Sequence, residues 1–297
     1  MRSALLLLLG LFWAAFLSAQ SIEMPLYFGQ FFNDPQINGI ALSENDDLAV
    51  RLAHRRNGQQ FSGVSSSLLD VQGKLKSKND RGFHEVGLRL FADREGFLIR
   101  RNRWGGTYAR HLPLNASMTL AAQVYAGAYN FVIRSNDVTG GLSNYTFDGA
   151  LSLLLYHEKW RIGFNINQAT NATLRPLAEE VRLPRHVNLT GEYSLELMEQ
   201  LKAIPAAYLR YAPNQPLGYP KLSATGSLRL LWVNKLLTGM SLESQSGANW
   251  FIGIENLAVS SSNLGLYFSY FTPNKRFLGG NVQRYEVFLS YRLKSKK

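Results

Sequence analysis

Five histidines are the first place to look for chemistry: His54, His84, His111, His157 and His186. They are scattered, with no His-x-x-x-His pair and no Asp or Glu at a metal-ligand spacing between them. His84-Glu85 starts like a zincin helix, but position 88 is Leu and the surroundings alternate as a strand does. Gly239-Met240-Ser241-Leu242 ends in Glu243, so the nucleophile elbow of a serine hydrolase is not spelled out, and no glycine-rich phosphate loop occurs. A Ser-His-Asn triad assembled in space, as in a barrel lipase, has no local signature here to support it. The absence of cysteine removes disulfides, thiolate metal sites and a cysteine nucleophile together. The expectation is a protein that is not an enzyme, with no catalytic, cofactor-binding or metal-binding residues.

A second group has a different potential role. Arg161, Glu192, Glu196 and Arg229 fall on the polar side of alternating segments, where they would either select solutes in a lumen or simply hydrate and cross-link it. The sequons at Asn115, Asn144, Asn171 and Asn188 read as accidental, since several lie inside strand patterns.

The elements that would position such residues follow an export signal. Arg2 is a short basic start, Ala4 to Phe16 is apolar, and Leu17-Ser18-Ala19 places small residues where signal peptidase would cut before Gln20. A run of about 13 residues is too short for a helix that must cross a bilayer, which needs roughly 20. Residues 1–19 are therefore expected to be a signal peptide, and 20–297 a single domain with a short N-terminal lead-in at 20–46. Beyond residue 20 no charge-free apolar stretch is long enough for a membrane helix. Without Arg2 the chain holds 31 basic against 21 acidic residues, a charge of +10. For an exported protein this points to anionic lipid headgroups, a cationic lumen or an acidic partner rather than to nucleic acid. The closing Lys294-Ser295-Lys296-Lys297 reads as a solvated tail.

The period of the apolar residues decides the fold class. Trp160, Ile162, Phe164 and Ile166 share one face, with Arg161, Gly163, Asn165 and Asn167 on the other. The same alternation returns at Val187, Leu189, Gly191, Tyr193 and Leu195, and again at Leu222, Ala224, Gly226, Leu228 and Leu230. Weaker copies occur at Val86-Leu88-Leu90, Leu120-Ala122-Val124-Ala126, Phe147 to Leu155, Trp250-Ile252-Ile254, Leu264 to Tyr270 and Tyr285 to Leu293. Turn-rich pieces such as Ser135-Asn136-Asp137 and Ala212-Pro213-Asn214 separate them.

A soluble β-sandwich also alternates, but three features favour the membrane. The segments run to about 10 residues, the length of a tilted membrane strand. Tyr156, Trp160, Trp232, Trp250 and Tyr291 stand near segment ends, as an interfacial girdle would. Small residues sit inside the apolar stripes, where a sandwich core would be left with voids. Hydrocarbon offers no hydrogen-bond partners, so strands cross it only in a sheet closed on itself. At about 20 residues per strand and turn, the expectation is all-β: an antiparallel transmembrane β-barrel of about 14 strands, of the outer-membrane type.

Several phrases, in order, resemble the PorP/SprF outer-membrane proteins of the type IX secretion system in Bacteroidota. Members carry a phrase like Phe-Asn-Pro and then Ile-Asn-Pro-Ala; here it reads Phe32-Asn33-Asp34 and Ile37-Asn38-Gly39-Ile40, with both asparagines kept and the prolines replaced. Tyr108-Ala109-Arg110-His111-Leu112-Pro113-Leu114-Asn115, running into Leu120 and Ala126-Gly127, is similar to the family's central strand pair. Leu183-Pro184-Arg185-His186 with Leu189-Thr190-Gly191-Glu192-Tyr193, then Ile204-Pro205-Ala206 to Arg210-Tyr211, and finally Tyr285-Glu286-Val287 to Tyr291-Arg292-Leu293 match later strands. The resemblance implies a non-enzymatic outer-membrane component. Its implied partners are periplasmic ring and pore components and secreted or surface adhesin proteins such as those of gliding motility, besides the outer-membrane lipid itself. The residues alone leave a general porin or small-molecule transporter as the alternative.

Overall fold

A computed structural model describes residues 39–43, 45–58, 63–75, 82–96, 99–133, 142–174, 181–213, 221–244, 247–273 and 283–295. The expected signal peptide and most of the lead-in lie outside the described residues.

The strands are β1 (Asp46–Asn57), β2 (Ser65–Leu75), β3 (Phe83–Glu95), β4 (Ile99–Pro113), β5 (Met118–Ile133), β6 (Leu142–His157) and β7 (Trp160–Asn167). A small hairpin follows, β8 (Thr173–Leu174) with β9 (Val181–Arg182). Then come β10 (His186–Tyr193), β11 (Leu195–Met198), β12 (Leu201–Tyr211), β13 (Leu222–Trp232), β14 (Leu236–Glu243), β15 (Gly247–Val259), β16 (Ser262–Pro273) and β17 (Arg284–Lys294). β10 and β11 both pair with β12 in one unbroken register, from Val187↔Tyr211 to Leu195↔Ala203, so together they make one wall strand interrupted at Ser194. Each wall strand pairs antiparallel with its neighbours in the chain, and β1 pairs with β17 to close the sheet. The result is the expected closed antiparallel barrel of 14 strands.

Pairings followed from Arg56 of β1 arrive on β6 at Ser143 one way round, and from the adjacent Asn57 at Tyr156 the other. That stagger is what tilts strands by roughly 35–45° in closed barrels. The longest intervals between wall strands, 134–141, 168–185, 212–221 and 274–283, all lie at one end. The two-residue turns at 158–159, 199–200 and 260–261 all lie at the other, where β1 begins and β17 ends. Outer-membrane barrels put short turns in the periplasm and long loops outside, which orients the molecule.

The alternation predicts the faces correctly. Ile162, Phe164, Leu189, Leu228, Trp250, Ile252, Phe268 and Val287 are exposed on the outer wall, while Asn165, Asn188, Thr190, Ser227 and Arg229 are buried inside. Trp232 and Trp250 fit the girdle, and Trp104 meets Tyr145 edge-on at 6.0 Å. Tyr156 does not: it points inward, and its hydroxyl lies 3.2 Å from His111 Nδ1. Gly105 and Gly127 face each other across β4 and β5 because the ring of Tyr125 crosses the inner wall there. Its Cζ and hydroxyl stand 2.8 and 2.6 Å from where Cβ atoms of those glycines would be.

The interior differs from a simple polar lumen. Leu68, Phe91, Leu231, Leu237, Phe251, Tyr267 and Phe288 project inward and form one apolar cluster with Ala53. Burying that apolar area inside the barrel adds packing energy a water-filled channel would lack.

Candidate functional site: the filled lumen

Next to the Ala53, Leu68 and Phe91 part of the apolar cluster, the same three strands aim charge into the barrel. Arg51 on β1, Asp70 on β2 and Arg89 on β3 are direct cross-strand partners, and all three are buried. Asp70 accepts from Arg51 at 2.6 and 3.0 Å, from Arg89 Nε at 2.9 Å and from Gln72 Nε2 at 2.9 Å. One carboxylate between two guanidiniums leaves the trio a net cation, which needs a further acceptor.

The chain's own backbone supplies it. The carbonyl oxygen of Gly39 accepts from Gln72 Nε2 at 2.6 Å, Gln123 Nε2 at 3.0 Å, and Arg51 Nη2 and Arg89 Nη2 at 3.2 Å each. An oxygen has two lone pairs, so four donors share it; Arg51, Arg89 and Gln72 also donate to Asp70, and Gln123 to Glu85 at 3.5 Å. From there the segment descends toward the periplasmic rim. The Ala41 and Leu42 amides donate to Glu85 at 3.3 and 3.0 Å, and Ile40 packs with Ala109, Ala121, Leu154 and Tyr208. Glu85 also takes a hydrogen bond from His111 Nε2 at 3.1 Å, and the His111 ring stacks on Phe83 with centroids 3.9 Å apart. A carboxylate only accepts, so Nε2 carries a proton. The Ser43 amide and hydroxyl bind Asp46 Oδ2 at 3.1 and 2.6 Å, and the chain reverses there into β1. Residues 39–43 are thus a strap running inside the barrel against its wall.

Gly39 is the tightest point of the strap. A Cβ there would collide with the side-chain amide of Gln123, with Ser152 Oγ 3.3 Å away behind it. Gly39→Val should therefore displace Gln123 and forfeit its bond to the Gly39 carbonyl, worth about 1 kcal/mol. Amide exchange of Ala41 and Leu42 should accelerate while the amides of β3 and β5 stay protected. Unchanged exchange at 41 and 42 would refute the anchoring role of the Gly39 carbonyl.

Further ion pairs cross the interior. Arg101 lies 3.2 Å from Asp93, Arg55 lies 3.5 Å from Glu286, and Arg103 pairs with Asp148 while its guanidinium sits 4.3 Å from the Tyr125 ring centre. Tyr208, Asn188, Asn165 and Ser152 form a hydrogen-bonded chain across β12, β10, β7 and β6. Of the polar residues singled out from the sequence, Arg161, Glu192 and Arg229 converge: Glu192 lies 3.6 Å from Arg161 and pairs with Arg229. Glu196 does not join them. It stands on the exposed end of β11, facing Lys202 at 3.9 Å, because β11 has no partner on its other edge.

The histidines are kept apart. His54 faces outward and bonds Ser67 Oγ at 2.9 Å, and His84 bonds Tyr108 at 2.7 Å on the same outer face. His157 stacks on Trp160, and His186 points inward to the Pro184 carbonyl. No cluster of His, Asp and Glu suited to a metal is present among the described residues. The strap and the Arg51–Asp70–Arg89 trio were not singled out in the sequence, although the alternation of Leu48, Val50 and Leu52 against Ala49, Arg51, Ala53 and Arg55 was a signal that could have found the wall side.

A closed 14-strand barrel with an apolar outer band, aromatic residues near its ends and a polar and apolar interior filled by side chains defines an outer-membrane β-barrel protein. Within that class, a sequence model for the type IX secretion system membrane protein PorP/SprF matches residues 21–291, and the chain belongs to that family. Among solved structures it is similar to the CymD monoaromatic hydrocarbon channel (11% identity, TM-score 0.58), over 93% of this chain and 95% of that one. A Pseudomonas aeruginosa FadL homologue (10%, 0.56) aligns over 92% and 99%, and the P. putida toluene transporter TodX (11%, 0.54) over 91% and 95%. At such identity these likenesses show the fold alone. No curated protein matches the chain.

Proposed function

We propose that this protein serves the type IX secretion system as an outer-membrane component that supports export, or surface attachment, of large proteins such as gliding adhesins. In this reading it works with periplasmic ring and pore components through its rims and loops, not by conducting solutes or by catalysis. It is made with a signal peptide, residues 1–19, removed before Gln20. The observation that carries the reading is the filled lumen in a chain of this family: the Gly39 strap, its four donors and the crossing ion pairs occupy the space a solute would need. The alternative is a small-molecule channel, which the barrel's likeness to hydrocarbon channels keeps in play only as fold.

Deleting the gene should deplete particular large proteins from the cell surface and medium, by quantitative proteomics, while uptake of small solutes stays normal. Complementation should restore them, and the restored protein should have the intact mass of a chain starting at or near Gln20. Slower solute uptake with an unaltered surface proteome would favour the channel instead.

A further inference from the structure

The outer wall of β1 to β4 carries a feature that secretion does not explain. In the row next to the extracellular turns, Arg56, Ser65, Arg94 and Arg100 are successive cross-strand partners. Their neighbours Arg55, Ser66, Asp93 and Arg101 are buried inside the barrel, so alternation sends this row outward. Arg94 is steadied by a hydrogen bond from its Nε to the Gly96 carbonyl at 2.9 Å. Three guanidiniums therefore stand along one edge of a lipid-facing surface.

Just periplasmic of them the wall is indented. A depression of about 670 Å³ is lined by Leu52, Leu69, Leu90, Trp104, Val287 and Leu289 and, on its side nearer the arginine row, by His54, Ser67, Ala92 and Asn102. His54 Nδ1 lies 2.9 Å from the Ser67 hydroxyl and Asn102 bonds Asn130 at 3.3 Å, so the strip beneath the arginines, Ala92 apart, is polar and partly paired within itself. The order along the wall is apolar trough, polar strip, cations. An acylated anion has the same order: hydrocarbon chain, polar linkage, phosphate.

We propose that this face binds a phosphorylated, multiply acylated glycolipid of the outer leaflet, of the lipid A type. One acyl chain lies in the trough and a phosphate is held by Arg56, Arg94 and Arg100. The choice of leaflet follows from the orientation: the arginine row is at the long-loop end, which faces the cell exterior. Arginine suits the phosphate because its fork can donate two parallel hydrogen bonds.

The test uses the full mature chain, refolded in detergent, with lipid A as probe and native mass spectrometry to read binding. Wild type should retain lipid A and bind its dephosphorylated form at least about tenfold more weakly. The Arg56→Gln, Arg94→Gln, Arg100→Gln triple variant should lose that phosphate preference. Ala92→Trp, which fills the polar strip without removing charge, should weaken both forms alike. Glu196→Gln, at the periplasmic end, should leave binding unchanged, and heat-modifiable electrophoretic mobility reports whether each variant is folded. Equal affinity for the two forms in the wild type, a triple variant indistinguishable from it, or equally tight binding of phosphatidylglycerol would each overturn the assignment.

Discussion

Asp70→Asn is expected to lower the stability of the folded barrel by about 3–5 kcal/mol, the usual cost of removing one member of a buried charge group. The substitution keeps the side chain's shape and one acceptor oxygen. It leaves the guanidiniums of Arg51 and Arg89, both buried, facing the neutral amide oxygen and the Gly39 carbonyl in place of a carboxylate. Like charges facing each other in a poorly hydrated interior repel, and neither arginine can shed its proton to escape. The strap should suffer too, because Gln72 bonds both Asp70 and the Gly39 carbonyl. Urea unfolding in lipid vesicles provides the measurement, with Glu196→Gln as the comparison. That carboxylate is two-thirds exposed and 3.9 Å from Lys202, so its loss should cost no more than about 0.5 kcal/mol. Similar midpoints for the two variants would mean that the trio is hydrated and the lumen is not filled as described.

The second large effect concerns the lipid face. Leu289 lies in the outward row between Leu52 of β1 and Leu266 of β16, well inside β17. Leu289→Arg puts a cation into hydrocarbon and should cost roughly 2–4 kcal/mol, falling toward 0–1 near an interface. Tyr285→Arg, on the same face but paired with Arg56 at the extracellular row, should therefore be the milder change. The residue next along, Ser290, would be harmless to replace in a water-filled channel. Here it is buried, is paired with Arg51 and crowds Gly265, so Ser290→Arg should cost about 1–3 kcal/mol through overpacking and like charge. Folding yields into vesicles rank the three. Should Tyr285→Arg prove as damaging as Leu289→Arg, the depth assignment of β17 fails.

What the sequence makes legible is the outer wall. Period-2 stripes such as Trp160 to Ile166 are clean because one side must be apolar for lipid and the other need not be. The inner face carries no such compulsion, and the alternation alone does not say that Phe251, Tyr267 and Phe288 on that face pack together in the interior. β1 and β2 were not picked out as strands and β3 showed only at Val86-Leu88-Leu90, because inward residues such as Arg51, Asp70 and Arg89 are charged and some outward ones, Arg56 and Arg94, are charged as well. The Gly39 strap has no period at all. Its place depends on donors from four strands up to 84 residues away in the chain, and only the closed barrel brings them together. The phrase Ile37-Asn38-Gly39-Ile40 was visible as a family feature, but nothing in it says that its carbonyl is the anchor of a buried charge group.

The central claim is that this barrel spans the membrane with its lumen occupied by its own chain. Conductance across planar bilayers containing the folded, purified protein tests it most directly. The account predicts that verified insertion of wild-type barrels leaves the membrane without steady, pore-sized conductance steps. Stable open steps from the wild type, proportional to the amount inserted, would contradict the filled lumen.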